Sequence, residues 1–413
     1  MTPMSDAAEC RFCHGPLAEF VNLGMSPLCE SFLTKDQLNS AEPFYPLVAY
    51  ICRDCLLVQL QEYVAPENIF SEYAYFSGYS DAWLDHARRY VETMTAGLGL
   101  GPTSRVIEIG SNDGYLLQYF VEAGIPVLGI DPAANIAVAA EARGVPTLVK
   151  FFGRETAREL AAAGIQGDLV LGNNVFAQVT DPSSFVEGIH TLLKPTGVCT
   201  IEFPHLLKTM DGNQFDQIYH EHFSYFSALT AEKIFAPHGM RIFDIEELWT
   251  HGGSLRIFAC HAGDETHPTS AAALAVMRRE IDAGLDRLET YANFGEQVRT
   301  TKRKLLSFLI EAKNGGKSIV GYGAPGKGNT LLNYCGVRTD FLDYTVDRNP
   351  HKQGKYLPGT HIPIFSPEKI AETKPDYVLI LPWNLREEIM AQLTYIRSWG
   401  GKFVVPIPDV SIL

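Results

Sequence analysis

The stretch that decides the fold is Val106-Ile-Glu-Ile-Gly-Ser-Asn-Asp-Gly-Tyr-Leu-Leu117. Its first four residues predict a buried strand, and the residues after them predict a tight turn and the start of a helix. Glu108, Gly110 and Gly114 surround that turn, where glycine lets the backbone approach a ligand closely. The stretch therefore predicts a βα unit with a cofactor site at the end of its strand.

A second predicted strand, Val127–Ile130, ends in Asp131, where a carboxylate is placed to accept hydrogen bonds from ribose hydroxyls. A dinucleotide site would need G-x-G-x-x-G, but Asn112 replaces the middle glycine and Tyr115 replaces the last. A bulky residue at that position argues against a pyrophosphate on the helix N-terminus. The pattern favours S-adenosylmethionine, and an ordinary βα turn without a ligand is the alternative.

Further elements follow in the same order along the chain. Gly167–Gly172 predicts a third strand, with Asn173 and Asn174 at its carboxyl end. Leu192–Glu202 predicts the end of a helix, a Pro-Gly turn and another strand. Taken together, these elements resemble the S-adenosylmethionine-dependent methyltransferase fold over roughly residues 80–260.

The composition limits the classes of partner. The chain has 413 residues, enough for two or three domains, and 46% of them are hydrophobic. A formal charge of −14 argues against nucleic acid and anionic membranes as partners. No apolar run approaches the length of a membrane span, and the N-terminal residues lack the features of a signal peptide. We expect a cytoplasmic monomer whose cysteines are ligands or buried thiols.

Two Cys-x-x-Cys knuckles lie in the N-terminal part of the chain, at Cys10–Cys13 and Cys52–Cys55. Two knuckles supply four thiolates, the tetrahedral set that zinc prefers. A structural metal would also stabilise a unit whose core is too small to hold it alone. The alternatives are coincidence and a redox pair, although a redox pair would not need two knuckles. We therefore predict a structural Zn²⁺.

A third unit is predicted after a helical stretch from about Ser270 to Lys313. It opens with a second strand, glycine loop and helix in Lys317–Thr330. Further strand patterns occur at 343–347, 377–381 and 402–406. These patterns predict a second α/β sheet, smaller than the first.

A dense group of titratable side chains lies in Asp216-Gln-Ile-Tyr-His-Glu-His-Phe-Ser-Tyr-Phe226. Histidine is the side chain best suited to remove a proton near neutral pH, and a carboxylate can orient it. Tyr219 could donate to a developing enolate oxygen. The spacing H-E-H would project both imidazoles to one side of an extended segment, so a metal site is one alternative. Purely structural histidines are the other.

The ordered motifs are similar to those of the sugar C-methyltransferases of deoxysugar biosynthesis. The resemblance covers essentially the whole chain, and enzymes that methylate C-3 of dTDP-linked 4-keto sugars are the best match, although C-5 enzymes share the motifs. It implies a zinc-binding domain over 1–75, a methyltransferase domain over 76–265 and a C-terminal α/β domain over 266–413 that contributes to a dTDP-sugar cleft. The motifs are the paired knuckles, EIGSNDGYLL, YHEHFSYFS, HGGSLR from His251 to Arg256, and GYGAPGKGNTLLN.

The resemblance also implies roles for single residues. It makes His222 the base that removes a proton next to the ketone, with Glu221 and Tyr219 beside it and Tyr75 reaching the sugar. The implied zinc ligands are Cys10, Cys13, Cys52 and Cys55. The predicted S-adenosylmethionine residues are Glu108, Gly110, Asn112, Gly114, Asp131, Asn173 and Asn174. The predicted substrate residues are Gln178, His220, Lys327 and Asn329.

One position departs from the family pattern. After the third strand the family commonly shows Asn-x-x-x-His, whereas this chain has Asn174-Val-Phe-Ala-Gln178. Glutamine can donate a hydrogen bond but cannot exchange a proton at neutral pH. The base is therefore expected at His222, and the sugar substituent facing Gln178 is expected to differ.

The glycine loop of the third unit leaves a second function open. Gly321-x-Gly323-x-x-Gly326 fits G-x-G-x-x-G after a strand, and Asp347 ends the next strand. This pattern is compatible with an NAD(P)-dependent oxidoreductase that acts on a nucleotide sugar. Lys327 and the helix N-terminus could equally hold the diphosphate of a sugar nucleotide.

Overall fold

The computed structural model describes residues 9–70, 78 and 81–413. Within these residues, three sheets of four, seven and six strands succeed one another. The expected α/β fold with an N-terminal zinc-binding unit, a central Rossmann-like unit and a smaller C-terminal α/β unit is confirmed. Among the described helices, none combines the length and the apolar character needed to cross a membrane.

The N-terminal sheet is antiparallel and includes one strand from a distant part of the chain. Its order is β1-β2-β3-β9, so the fourth strand comes from the segment that carries the histidine cluster. Val58 pairs with Tyr225 and Gln59 with Ser224. The zinc-binding unit therefore holds one end of the predicted catalytic segment. The strands are β1 (Leu17–Ser26), β2 (Tyr45–Cys52), β3 (Val58–Leu60) and β9 (Ser224–Tyr225).

The central sheet has the order β10-β11-β8-β7-β4-β5-β6. The five strands from β8 to β6 run parallel, and β11 and β10 are antiparallel additions at one edge. Buried apolar runs such as Val106–Ile109 suit parallel strands that are covered on both faces. The strands are β4 (Val106–Ile109), β5 (Val127–Ile130), β6 (Thr147–Leu148), β7 (Gly167–Asn173), β8 (Leu193–Pro204), β10 (Met240–Leu248) and β11 (Ser254–His261).

The C-terminal sheet has the order β14-β13-β12-β15-β16-β17, and only β17 is antiparallel to its neighbour. Its central strands are short and largely buried. The glycine loop directly follows the C-terminal end of β12 and so lies at the carboxyl edge of the sheet. The strands are β12 (Ile319–Tyr322), β13 (Thr345–Val346), β14 (Ile364–Phe365), β15 (Tyr377–Ile380), β16 (Lys402–Val405) and β17 (Ser411–Ile412).

Helices cover the sheets, and several begin at local sequence signals. Asp181 caps α6 by accepting a hydrogen bond from the Ser184 N–H, and Ser227 and Thr230 form a capping box at α8. The helices are α1 (Pro66–Phe70), α2 (Asp81–Leu98), α3 (Leu117–Glu122), α4 (Ala134–Ala142), α5 (Arg154–Ala162), α6 (Pro182–Leu192), α7 (Leu206–Asp211), α8 (Ala228–Phe235), α9 (Ala271–Asp282), α10 (Phe294–Asn314), α11 (Gly326–Cys335), α12 (Glu368–Thr373) and α13 (Arg386–Gln392).

Two local expectations differ from the structure. The Pro-Gly turn expected before β8 is part of the strand, because Lys194–Gly197 bulge between two paired regions of β7 and β8. Pro195 has no N–H to donate, which suits it to such a bulge. The helical stretch expected from Ser270 to Lys313 is interrupted between α9 and α10, where Gly284 adopts a positive φ of 83°.

One hydrophobic core joins the N-terminal sheet to the C-terminal unit. Phe20 of β1 stacks on Phe294 of α10 with a centroid distance of 4.6 Å, and its ring also contacts Tyr291. Leu305 and Leu309 of the same helix are fully buried in this core. The apolar face of the zinc-binding sheet is therefore covered by residues far away in sequence, which offsets the small core of that unit.

Candidate active site

The glycine turn after β4 adopts a conformation that its residues favour. Gly110 and Gly114 have positive φ values of 68° and 72°, and Asn112 between them has a φ of 48°. Asparagine is one of the side chains that tolerates this left-handed region. A Cβ on Gly110 would lie 2.9 Å from the side chain of Val175, so the turn also packs too tightly for any larger residue.

Asp131 ties the second strand to this turn. Its Oδ2 accepts the backbone N–H of Asn112 and its Oδ1 accepts that of Ala133, each at 2.9 Å. Burial raises the pKa of Asp131, while the two N–H groups oppose that rise. Each carboxylate oxygen keeps a second lone pair, so Asp131 can still accept hydrogen bonds from ligand hydroxyls.

Buried polar side chains around the turn carry atoms without hydrogen-bond partners among the residues that the structure describes. Glu108 is fully buried, and burial, together with the charges of Asp131 and Asp113, raises its pKa well above the ordinary value. A buried polar group without a partner is costly unless a ligand completes it. S-adenosylmethionine carries an ammonium group and ribose hydroxyls that fit this donor and acceptor set. The unpartnered atoms belong to Glu108, Ser111, Asp113, Asn173 and Asn174.

The four knuckle cysteines come together in the N-terminal unit. Their sulfur atoms all lie within 4.8 Å of one another, with Cys10 and Cys55 3.6 Å apart and Cys13 and Cys52 3.4 Å apart. Tetrahedral Zn–S bonds of ~2.3 Å give S–S separations of ~3.8 Å, so the cluster fits zinc. Gln59 donates to the Cys10 sulfur at 3.1 Å, which adds an outer hydrogen bond.

The histidine segment is folded as a turn. The His222 N–H donates to the Tyr219 carbonyl at 2.9 Å, which closes a four-residue turn. An extended H-E-H segment was the basis of the metal alternative, and that expectation is wrong, because the turn sends the two imidazoles to different partners. His220 hydrogen-bonds the Pro46 carbonyl through Nε2 at 3.1 Å. The cysteine cluster is the one group of three or more metal-ligating side chains in the described chain.

His222 is buried with a defined tautomer. Its Nδ1 lies 3.1 Å from the Gln217 carbonyl, which can only accept, so Nδ1 carries the proton and Nε2 keeps the lone pair. Burial lowers the pKa of His222 to about 4, and the Lys327 ammonium contributes to that shift. The imidazole is therefore neutral at neutral pH and presents one basic nitrogen.

The side chains expected beside His222 take different positions. The Tyr219 ring lies 4.2 Å from the imidazole, and burial raises the pKa of its hydroxyl well above the ordinary range, so that it stays a donor. Glu221 accepts a hydrogen bond from the Cys29 thiol at 3.4 Å, which directs it toward the N-terminal unit. Tyr75 lies outside the described residues.

A network of charged and polar side chains that the sequence did not predict forms one wall of this site. Glu202, at the end of β8, accepts hydrogen bonds from Arg256 at 2.9 Å and Thr250 at 2.8 Å, and pairs with His86 at 3.0 Å. Burial alone would raise the pKa of Glu202, but these partners lower it to about 2. The network joins α2, β8 and β11, so it fixes the wall of the site. Arg256 lies in a motif that the sequence analysis quoted without assigning it a role.

Lys327 lies in the same buried cluster, at the start of α11. Its Nζ is 3.5 Å from Nδ1 of His251 and 5.4 Å from the centroid of the Trp383 ring. The Trp383 indole N–H donates to Asp216 at 2.7 Å. Burial raises the pKa of Asp216 to about 7 and lowers that of Lys327 to about 8. The loop at His251, which has a φ of 52°, brings the central unit against the C-terminal unit here.

The second glycine loop is filled by the chain itself. Glu30, from the segment after β1, lies beside Gly326 at the start of α11 and pairs with buried Lys352 at 3.2 Å. Asp347 accepts the N–H of Ala324 at 2.7 Å. A carboxylate therefore already occupies the position where a helix N-terminus would hold a phosphate.

Two further predicted substrate residues are Asn329 in the C-terminal unit and Gln178 in the central unit. Asn329 is buried and donates to the Cys29 carbonyl, so its amide fastens the N-terminal unit to α11. Gln178 ends a short 3₁₀ turn over Phe176–Gln178, directly after Ala177, which lines a small cavity together with His222 and Tyr225. Their contacts with substrate stay predictions.

Several residues of the site were not predicted from the sequence. His251 and Asp216 lie within the motifs described above, but the sequence does not show that they lie close to Lys327. Trp383 follows β15 with no local signal of its own, since only the tertiary fold brings its indole to Asp216.

Comparison with known proteins now adds to this geometry. Family models match three successive regions of the chain. They are described as a zinc binding domain over residues 10–70, a methyltransferase domain over 82–244 and a C-methyltransferase C-terminal domain over 249–408.

The C-methyltransferase NovU from Streptomyces niveus is 36% identical over 408 residues, which cover 98% of this chain and 96% of that protein. The chain belongs to the C-methyltransferase family. This C-methyltransferase is an enzyme that uses S-adenosylmethionine, and its N-terminal unit is a zinc-binding domain. The comparisons lend no support to the oxidoreductase alternative.

More distant matches cover the central unit. The ubiquinone biosynthesis O-methyltransferase of Ruegeria pomeroyi is 37% identical over 95 residues, which are 23% of this chain and 38% of that protein. The S-adenosylmethionine complex of magnesium protoporphyrin IX methyltransferase from Synechocystis PCC 6803 gives a TM-score of 0.33 at 17% identity, and the match covers 44% and 82% of the two chains. That likeness is too low to carry an argument.

Proposed function

We propose that this C-methyltransferase methylates a dTDP-linked 4-keto deoxysugar at C-3, next to the ketone. The observation that carries the proposal is His222, a buried neutral imidazole whose Nε2 keeps its lone pair beside the ring of Tyr219. Carbon is a poor nucleophile unless a neighbouring carbonyl stabilises the carbanion. A buried imidazole base therefore suits a substrate that carries its own carbonyl.

The proposed reaction begins with transfer of the C-3 proton to Nε2 of His222, while the C–H electron pair moves into the carbonyl to form an enolate. The Nδ1 hydrogen bond to the Gln217 carbonyl stabilises the imidazolium that results. Tyr219 remains protonated and can donate to the sugar. S-adenosylmethionine, when bound, supplies the electrophilic methyl group.

The position of His222 between two units supports a substrate that spans both. The carboxyl edge of the central sheet carries the unpartnered polar atoms that fit the cofactor. Lys327 and Trp383 reach the site from the C-terminal unit. We propose that the sugar lies at this junction and that its dTDP moiety extends along the C-terminal unit.

The test is proton exchange in the absence of a methyl donor. The enzyme is incubated with dTDP-4-keto-6-deoxyglucose in D₂O, and NMR locates the deuterium at C-3 or C-5. His222→Asn should reduce exchange and methyl transfer by about 10²–10⁴-fold, because it removes the positioned base. His190→Asn, outside the site, is the matched control. Native exchange in His222→Asn would place the base elsewhere, and deuterium at C-5 alone would move the methylation site.

The pH dependence provides a second test. The folded-state pKa of His222 is lowered to about 4, and its basic form is the deprotonated one. Exchange should therefore be independent of pH between about 5 and 7 and fall only as the pH drops through about 4. An acidic limb near 6.5, the ordinary histidine value, would contradict the buried environment assigned to His222.

A further inference from the structure

Lys327 is a buried cation without a carboxylate in salt-bridge contact among the described residues. Its side chain is 7% exposed, and its ammonium lies against the His251 imidazole and the Trp383 ring. Asp216 is the charged group that raises its pKa, but neither Asp216 oxygen is in salt-bridge contact with Lys327: Oδ2 accepts the Trp383 N–H, and Oδ1 has no hydrogen-bond partner among the described residues. A lysine kept charged in such a place needs an anionic or strongly polar partner.

The ammonium also acts on the predicted base. The pKa values of His222 and His251 are both lowered by burial and by the charge of Lys327, and His222 in turn contributes to the shift of His251. The helix that carries Lys327 also contacts the segment that holds the base, because Thr330 donates to the Ile218 carbonyl, next to the Gln217 carbonyl that bonds His222. The lysine and the base are therefore placed to act on one substrate. The groups that face Lys327 are Asp216, His251, His222 and Trp383.

The phosphate role predicted for Lys327 fits this placement poorly. The carboxylate of Glu30 lies beside Gly326 at the same helix end, and Glu30 is paired with Lys352. The N-terminus of α11 therefore does not offer an open anion site beside Lys327. Its ammonium lies instead against the imidazole of His251.

We propose that Lys327 is the cation that faces the carbonyl oxygen of the substrate and stabilises the enolate when His222 removes the neighbouring proton. This inference rests on the proposed function. As the C–H bond breaks, its proton goes to Nε2 of His222 and its electron pair moves onto the carbonyl oxygen, which lies against the Lys327 ammonium. When the carbanion carbon later takes the methyl group, the carbonyl re-forms and Lys327 is unchanged.

A weak base makes such a partner necessary. A neutral imidazole of low pKa has little driving force to remove a proton from carbon. A fixed positive charge in a dry site stabilises the developing oxyanion far more than it would in water. Lys327 lowers the pKa of His222. In this proposal it also lowers the free energy of the enolate that forms.

The experiment compares Lys327→Met, Lys327→Arg and the control Lys317→Met, whose lysine is exposed and ion-paired with Asp376. Deuterium incorporation into dTDP-4-keto-6-deoxyglucose without a methyl donor is the main readout. Affinities for dTDP and for S-adenosylhomocysteine are measured in parallel. We expect Lys327→Met to lose about 10²–10³-fold in exchange, with both affinities within about threefold of the unmodified enzyme. Lys317→Met should exchange normally.

The pH profile separates an electrostatic role from a structural one. The charged form of Lys327 is the active one, so exchange by the unmodified enzyme should fall as the pH rises through about 8. Lys327→Arg should keep part of the exchange and lose that alkaline limb, because arginine stays charged. This arm remains informative even where Lys327→Met folds poorly.

Each outcome decides the matter. Exchange within threefold of normal in Lys327→Met overturns the proposal while the proposed function stands. A loss of dTDP affinity equal to the loss of exchange assigns Lys327 to the diphosphate instead. An unmodified enzyme that exchanges no proton of any dTDP-4-keto sugar, even though His222 and Lys327 are intact, refutes the proposed function itself.

Discussion

The chain contains two units of strand, glycine loop, helix and second strand, and they differ in what completes them. In each unit an aspartate at the end of the second strand accepts one backbone N–H of the glycine loop: Asp131 that of Asn112 in the central unit, and Asp347 that of Ala324 in the C-terminal one. The central loop is surrounded by buried polar atoms without partners in the described chain. At the C-terminal loop, the carboxylate of Glu30 lies beside the helix N-terminus and pairs with Lys352.

A glycine-loop motif describes the geometry of the backbone, but it does not show which group occupies the loop. The C-terminal loop matches the dinucleotide pattern better than the central loop does, yet its anion position is taken by a side chain from the zinc-binding unit. The central loop departs from that pattern and keeps polar groups for a ligand. The C-terminal loop has unpartnered buried atoms only on Glu30 and Asn329 among the described residues. Five residues carry them around the central loop, and this larger group marks the cofactor site where the motif does not.

Removal of the zinc should produce the largest difference in amide protection between the two glycine loops. The variant Cys52→Ser/Cys55→Ser loses two of the four ligands, and structural zinc sites contribute on the order of 10 kcal/mol to folding. Because Glu30 belongs to that unit, amide hydrogen exchange over residues 324–329 should rise much more than over residues 110–114. Equal protection of both segments after zinc loss would contradict the dependence of the second loop on the N-terminal unit.

Breaking the ion pair inside the second loop should be the next largest effect. Glu30→Gln leaves Lys352 buried without its carboxylate, which should lower the free energy of unfolding by about 3–5 kcal/mol in urea titrations. The double variant Glu30→Leu/Lys352→Met should recover most of that loss. Affinity for S-adenosylhomocysteine should not change in either variant, and a large change would show that the two loops are coupled.

The two aspartates provide a matched pair of substitutions. Asp131→Ala should weaken S-adenosylmethionine binding by roughly 10- to 150-fold, equivalent to about 1.5–3 kcal/mol, because charged hydrogen bonds to the ribose are lost. Asp347→Ala removes the corresponding carboxylate of the second loop and should leave that affinity within about threefold. Calorimetric titration measures both. Equal effects in the two variants would remove the distinction drawn between the loops.

The smallest expected effect concerns Glu108. Its carboxyl group is fully buried without a partner in the described chain, so Glu108→Leu should raise the stability of the ligand-free protein by about 1 kcal/mol. The same variant should bind S-adenosylmethionine less tightly. Glu202→Leu is the control, because its carboxylate is fully bonded and its loss should destabilise the fold. A destabilised Glu108→Leu protein would mean that the carboxyl is already satisfied.

Much of the fold followed from local patterns. The strand and turn at 106–117, the carboxylate after β5 and the paired knuckles each depend on residues close together in sequence. Periodicity, glycine at positive φ and ligand spacing are local properties, so a single sequence displays them. The bulge in β8 was missed, because a Pro-Gly pair signals a turn locally and only pairing with β7 keeps it in the strand.

The candidate site was predictable only in part. The sequence predicted functional side chains in residues 216–226. It did not predict the turn at Tyr219–His222, which separates the two histidines, because that turn depends on the pairing of β9 with β3. The neighbourhood of Lys327, His251 and Asp216 joins segments far apart in the chain. No local pattern predicts such a contact, because it depends on how two sheets pack.

The sequence by itself determined the three units, the zinc ligands, the geometry of both glycine loops and the family resemblance, because each depends on short-range spacing. The tertiary structure alone decided which loop keeps free polar groups and which is filled by Glu30. It also decided that Lys327 lies beside the imidazoles. The physical reason is desolvation: whether a buried charge or polar group has a partner depends on chain segments brought together only by folding.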